Sequence, residues 1–222
     1  MPNLLILHSS GRTNRSVTRA LTAQFRDQWQ ASFPDGGITE RDLVAEACEC
    51  VNEAWIAAAF TEEPNRTVRM QQVLQVSDGL VDELMAADHV VIGAPLYNFA
   101  MPAALKAYFD QIVRVGRTFA FDAEQENPYT PLLPNTPLTV ITSAGDGALL
   151  PGGALYELNC LEPHLKILAS FIGLAEPVFI RVGYDEYQDE RHVNSKARAA
   201  EALAKHFTHL LERATQPGCA VC

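Results

Sequence analysis

"DHVVIGAP", from Asp88 to Pro95, is a short apolar run rich in β-branched residues, and no polar residue interrupts its middle. A strand with one wet face alternates apolar and polar side chains, whereas a strand covered on both faces reads as continuous. The run therefore predicts an interior strand of a parallel sheet. Met101 to Val115 is the helix behind it, with Pro102 suited to the first turn.

The same alternation extends in both directions. "NLLILH" (Asn3 to His8) is a second apolar strand, followed by a helix over Arg15 to Ala31 whose apolar residues recur at helical spacing. "FPDGG" (Phe33 to Gly37) breaks that helix, and the more polar "ITERDL" (Ile38 to Leu43) suits an edge strand with one flank in water. After an irregular stretch, Thr67 to Ala87 forms a helix. Pro137 to Ala144 is a strand, Glu157 to Leu174 a helix, Pro177 to Val182 the fifth strand and Asp189 to Glu212 the last helix. Five strands alternating with five helical segments predict an α/β fold, a parallel sheet with helices on both faces. The expected layout is one domain over residues 1–214 and a short tail over 215–222.

Composition restricts the function classes. The chain of 222 residues is 48% apolar and carries 17 basic against 27 acidic residues, a formal charge of −10. That balance argues against a nucleic-acid backbone or an anionic membrane as the main partner. No apolar run approaches a membrane span, and the first residues lack the pattern of a secretory signal, so the expected location is cytoplasmic. Five cysteines, an odd number, argue against a disulfide scaffold. Cys48 and Cys50 read as free thiols on a helix. His206 and His209, one turn apart, together with Cys219 and Cys222, have the residue types of a zinc site, but a frayed terminus explains them as well, and no metal is expected.

In open parallel sheets, ligands sit beyond the carboxyl ends of the strands. Three loops there have unusual compositions. The first, His8 to Ser16, offers Ser9, Ser10, Thr13, Asn14 and Ser16 as donors and runs into a helix N-terminus, where free amides and the positive dipole end attract an anion such as phosphate. It has no lysine, which excludes a Walker A loop, and no G-x-G-x-x-G, which disfavours a Rossmann dinucleotide site. The second, Ala94 to Pro102, carries Tyr97, Asn98 and Phe99, residues able to line a flat heteroaromatic ring or to plug the end of the sheet. The third, Thr142 to Gly153, is rich in glycine and lets backbone approach a ligand closely, or is simply flexible.

Taken together, "LILHSS" with the following Arg15-Ser16, "APLYNFAMPAALKAYFDQIVRVGRTFAF" and "VITSAGDG" with "LEPHLKILASFIGL" resemble the FMN-dependent NADH-azoreductases, relatives of the NAD(P)H quinone oxidoreductases. The likeness covers nearly the whole chain in matching order. It implies a flavodoxin-like three-layer fold with strand order 2-1-3-4-5 and a bound FMN. The FMN phosphate would be held by Ser10 and the Asn14-Arg15-Ser16 turn. The ring would lie between Leu96, Tyr97, Asn98 and Phe99 on one side and Ser143, Ala144, Gly145 and Asp146 on the other. The resemblance also implies a homodimer with the site between subunits, lined by Phe99, Phe119 and Phe121, and a two-electron exchange from NADH or NADPH to quinones or azo compounds. No proton-relay triad is expected, and His8 and His164 read as structural. Ala144 stands where the family often has arginine and Asp146 where it has glycine; an ionised Asp146 near the ring would disfavour an anionic reduced flavin. A flavodoxin-type electron carrier and a flavin-free binding domain of the same topology are the rival readings.

Overall fold

In the computed structural model, which describes residues 1–215, the strands are β1 (Leu4–His8), β2 (Ile38–Asp42), β3 (His89–Pro95), β4 (Phe119–Phe121), β5 (Tyr129–Pro131), β6 (Leu138–Ser143) and β7 (Val178–Val182). The helices are α1 (Val17–Ser32), α2 (Glu53–Ala59), α3 (Val68–Met85), α4 (Ala103–Ile112), α5 (Leu161–Ile172) and α6 (Glu190–Thr215). Five strands form one parallel sheet in the order β2-β1-β3-β6-β7. Counting only these five, the order is the 2-1-3-4-5 that the family resemblance implies.

The run read as an interior strand occupies the centre with two other apolar runs beside it, and every residue of β1, β3 and β6 is buried. Their side chains alternate between two cores, as the two-residue period of a strand requires. Leu5, Leu7, Val90 and Ile92 pack with residues of α3, α4 and α5, including Leu80, Leu105, Phe109 and Leu165. Leu4, Ile6, Val91 and Ile141 face the other way, onto Phe25 and Trp29 of α1 and Leu203 and Phe207 of α6. The polar β2 is an edge strand, as its composition predicts.

Two elements depart from the sequence reading. The stretch read as irregular contains α2, which buries Trp55, Ala58 and Ala59 against Leu74. Cys48 and Cys50 precede that helix rather than lying on one. The Asp42 carboxylate accepts the amides of Val44 and Ala45, and the Gln111 side-chain amide donates to the Glu49 carbonyl, so this backbone is committed elsewhere. The second departure is the hairpin of β4 and β5, which pairs Phe119 with Pro131 and lies between α4 and β6. Among the described residues no helix is long and apolar enough to cross a membrane.

Candidate functional site

Parallel register brings the strand ends together. His8 pairs with Gly93, Pro95 with Ser143, and Ser143 with Val182, so the loops after β1, β3, β6 and β7 leave the sheet at one level. They enclose a cleft of about 100 Å³ lined by Ser10, Arg15, Ser16, Leu96, Tyr97, Ser143, Ala144 and Gly145 among others. Eight of the residues expected at the site thus converge. A second cavity of about 590 Å³ shares the wall formed by Arg12, Arg15 and Ser16 and adds Asn14, His192 and Lys196.

The loop after β1 is built as a set of donors. Ser16 caps α1, its Oγ accepting the Arg19 amide at 3.3 Å. The backbone N–H groups from Thr13 to Thr18 have no acceptor among the described residues. Free amides at a helix start are the donor geometry that binds phosphate. The Arg15 guanidinium is exposed beside them and makes no ion pair or hydrogen bond with another described residue.

At the opposite wall, Tyr97 and Ala100 exchange both backbone hydrogen bonds at 3.0 Å around Asn98 and Phe99. These two central residues have φ of 46° and 68°, the left-handed pair of a type I′ turn. An aromatic residue in that region is strained, and such strain concentrates at functional sites. The turn is held by the Cys160 amide, which donates to the Phe99 carbonyl at 2.8 Å. Its effect is to leave Tyr97, Asn98 and Phe99 exposed; of the three only Tyr97 lines the cleft, and Asn98 and Phe99 lie outside its lining.

Asp146 is placed differently from the expectation. Its carboxylate accepts the Ala148 amide at 2.9 Å and the Tyr187 hydroxyl at 2.7 Å, and these bonds hold its pKa below the usual carboxylate value. It caps a short 3₁₀ turn and does not line the cleft. Phe119 and Phe121 also lie off the cleft of their own chain. Phe119 packs on Phe171 near the end of α5, with ring centroids 4.9 Å apart. Phe99 is tied to Cys160 at the start of that helix, a full helix length of about 18 Å away.

His206 places Nε2 2.8 Å from the Thr139 hydroxyl, and His209 lies beside Glu212; Cys219 and Cys222 lie outside the described residues. His8 has Glu40 on one ring nitrogen and Thr22 on the other.

The sequence reading missed the fourth wall. Arg12 reaches Asp185, 2.7 Å away, joining the loop after β1 to the loop after β7. Glu186 follows, its carboxylate lying where a Cβ on Gly145 would meet it. The rule about strand carboxyl ends points to this loop too, because the fifth strand ends at Val182. Arg19, whose guanidinium reaches the Ser10 carbonyl at 2.8 Å, gave no signal for another reason: an arginine in the first turn of an amphipathic helix looks like any solvated residue.

The fold and cleft define a flavodoxin-like α/β protein that offers backbone amides to an anion at one end and aromatic side chains at the other. Residues 2–207 match the family described as "Flavodoxin-like fold". An FMN-dependent NADH:quinone oxidoreductase of Opitutus terrae is 48% identical over 203 residues, 91% of this chain and 95% of that protein. One from Trichormus variabilis is 37% identical, covering 92% of this chain and 98% of its own. The chain belongs to this family of flavodoxin-like FMN-dependent NADH:quinone oxidoreductases. Its fold is also that of an azoreductase from Bacillus anthracis, with a TM-score of 0.83 at 21% identity over 94% of this chain and 100% of that one.

Proposed function

We propose that this protein is an FMN-dependent NADH:quinone oxidoreductase that also reduces azo compounds. The observation that carries the reading is the run of unpartnered amides from Thr13 to Thr18 at one end of a cleft whose far wall is a strained aromatic turn. That donor set fits FMN: a phosphate matches the amides, and a flat ring matches the slot between Tyr97 and the Ser143-Ala144-Gly145 backbone. When bound, FMN supplies two-electron transfer between a nicotinamide donor and a quinone or azo acceptor.

The residues of the chain then divide the work of binding and orientation. Ser10, Asn14, Arg15 and Ser16 hold the phosphate. Leu96, Tyr97, Asn98 and Phe99 flank one side of the ring, and Ser143, Ala144 and Gly145 approach the other. Asp146 contributes by fixing the loop through Tyr187, which turns its charge away from the cleft. No side chain is assigned to a proton relay.

The reading includes a homodimer. Ile167 of α5 is 66% exposed and Phe121 of the hairpin 53%, and Tyr129 extends this apolar face. A second copy covers it, and the partner subunit's Phe121 then closes the cleft that it does not line in its own chain, with the buried Phe119 supporting the hairpin from behind. Residues 1–214 form one functional unit with a tail over 215–222, and the protein works in the cytoplasm.

The test is a visible spectrum with added FMN, followed anaerobically by NADH, then NADPH, then a benzoquinone. Bound flavin that bleaches with a nicotinamide and recovers with the quinone is the expected result, and it identifies the preferred donor. Bound flavin that stays yellow indicates an electron carrier, and absence of binding overturns the assignment.

A further inference from the structure

We propose that Arg19 and Asp42 form a positioning device that aims the amides of the phosphate loop at the FMN phosphate; this rests on reading the cleft as an FMN site. Neither residue lines the cleft. Arg19 lies on α1 and reaches back under the loop, where its Nε donates to the Arg12 carbonyl at 3.1 Å and its NH2 to the Ser10 carbonyl at 2.8 Å. The same guanidinium grips the Asp42 carboxylate through both terminal nitrogens, at 2.8 and 2.9 Å.

The consequence follows from peptide geometry. Every peptide bond described is trans, so the N–H and C=O of one peptide point in opposite directions. With the Ser10 and Arg12 carbonyls held on Arg19, the N–H groups of Gly11 and Thr13 must face away from it. Neither N–H has an acceptor among the described residues. Without Arg19 the two carbonyls are free to turn toward the anion site, where their negative ends repel a phosphate.

Asp42 fixes the guanidinium in turn. It ends β2 directly beside His8, the last residue of β1, so sheet register sets its place under the loop. The amides of Val44 and Ala45 also bond its carboxylate, and hydrogen bonding from Arg19 is the main cause that holds its pKa below the ordinary value. Three of the five guanidinium N–H groups are thereby committed to hydrogen bonds, and NH1 lies 2.8 Å from Asp42 as an ion pair. Arg19 therefore acts through the loop and is not itself a phosphate ligand. Lysine, with one compact ammonium group, cannot span two carbonyls and a carboxylate in this way.

The experiment measures dissociation constants for FMN and for riboflavin, by quenching of flavin fluorescence, in the wild-type protein, Arg19→Lys and Asp42→Asn. Riboflavin lacks only the phosphate, so the ratio of the two constants isolates phosphate recognition. Each variant is expected to lose about tenfold of the wild-type preference for FMN, the worth of one charge-assisted hydrogen bond, with riboflavin affinity unchanged. Asp42→Asn keeps an acceptor oxygen and carries the test if Arg19→Lys does not fold. An unchanged preference, or equal losses for both flavins, overturns the proposal. Tighter FMN binding by Asp42→Asn also overturns it, because a freed Arg19 would then be a direct ligand. A wild-type protein that binds riboflavin as well as FMN overturns it alone, whereas one that binds neither overturns the FMN site as well.

Discussion

Replacing His89 by glutamine isolates the largest acid liability visible in the core. His89 begins β3, is 2% exposed and stacks on Phe25 with centroids 5.3 Å apart. Its Nε2 lies 2.9 Å from the Thr139 hydroxyl, which lies 2.8 Å from Nε2 of His206. Burial, with a smaller contribution from His206, lowers the His89 pKa from its ordinary 6.5 to about 3. Between those values the unfolded chain binds a proton that the folded chain refuses, so stability rises with pH. The contribution is complete above 6.5, erodes as pH falls through that value and is exhausted near 3. Each unit of pH in this window is worth about 1.4 kcal/mol, so moving from about pH 7.5 to about pH 5 costs about 2 kcal/mol through this one residue. Glutamine keeps a hydrogen-bonding partner for Thr139 and does not titrate. Urea unfolding at the two pH values should show the wild type losing about 2 kcal/mol more than His89→Gln, since the carboxylates common to both cancel. Equal losses would refute the burial of a neutral imidazole as the cause.

Other predictions follow from single contacts. Phe99→Gly relieves the backbone at φ 68°, worth about 1 kcal/mol, and should not lower the thermal midpoint while reducing quinone turnover; full turnover would mean that the strained turn does not serve the site. Ser16→Ala removes the cap of α1 and should cost about 1 kcal/mol in urea unfolding, so an unchanged midpoint would count against the cap. Arg181 forks onto both oxygens of Glu162, which is 1% exposed. Arg181→Met strands that carboxylate and should destabilise by about 3 kcal/mol, with much of the loss recovered in the double variant Glu162→Gln/Arg181→Met; a neutral single variant would show that the pair is dispensable.

The helices and strands that form the layers were legible because their patterns are local. Continuous apolar runs such as Val90 to Ala94 marked interior strands, and the polar Ile38 to Leu43 marked an edge. The short α2 gave no such signal: its burial depends on Trp55 finding Leu74 and on its indole N–H donating to Gln111 at 2.8 Å. The β4–β5 hairpin was hidden for the same reason, since three-residue strands carry too little periodicity to read.

For the site, the sequence by itself determined the three donor loops, because each loop follows a recognisable strand and its residue types are visible without partners. Tertiary structure alone decided which groups are free and which are spent. Asp146 became a cap bonded to Tyr187, Phe119 and Phe121 moved to the far end of α5, and Arg19 became the support beneath the loop. The physical reason is that a hydrogen bond's partner is set by sheet register and helix packing across distant segments, as when β1 places His8 beside Asp42. Composition along the chain reports the donors and acceptors a loop possesses, and only the folded neighbours determine which remain available to a ligand.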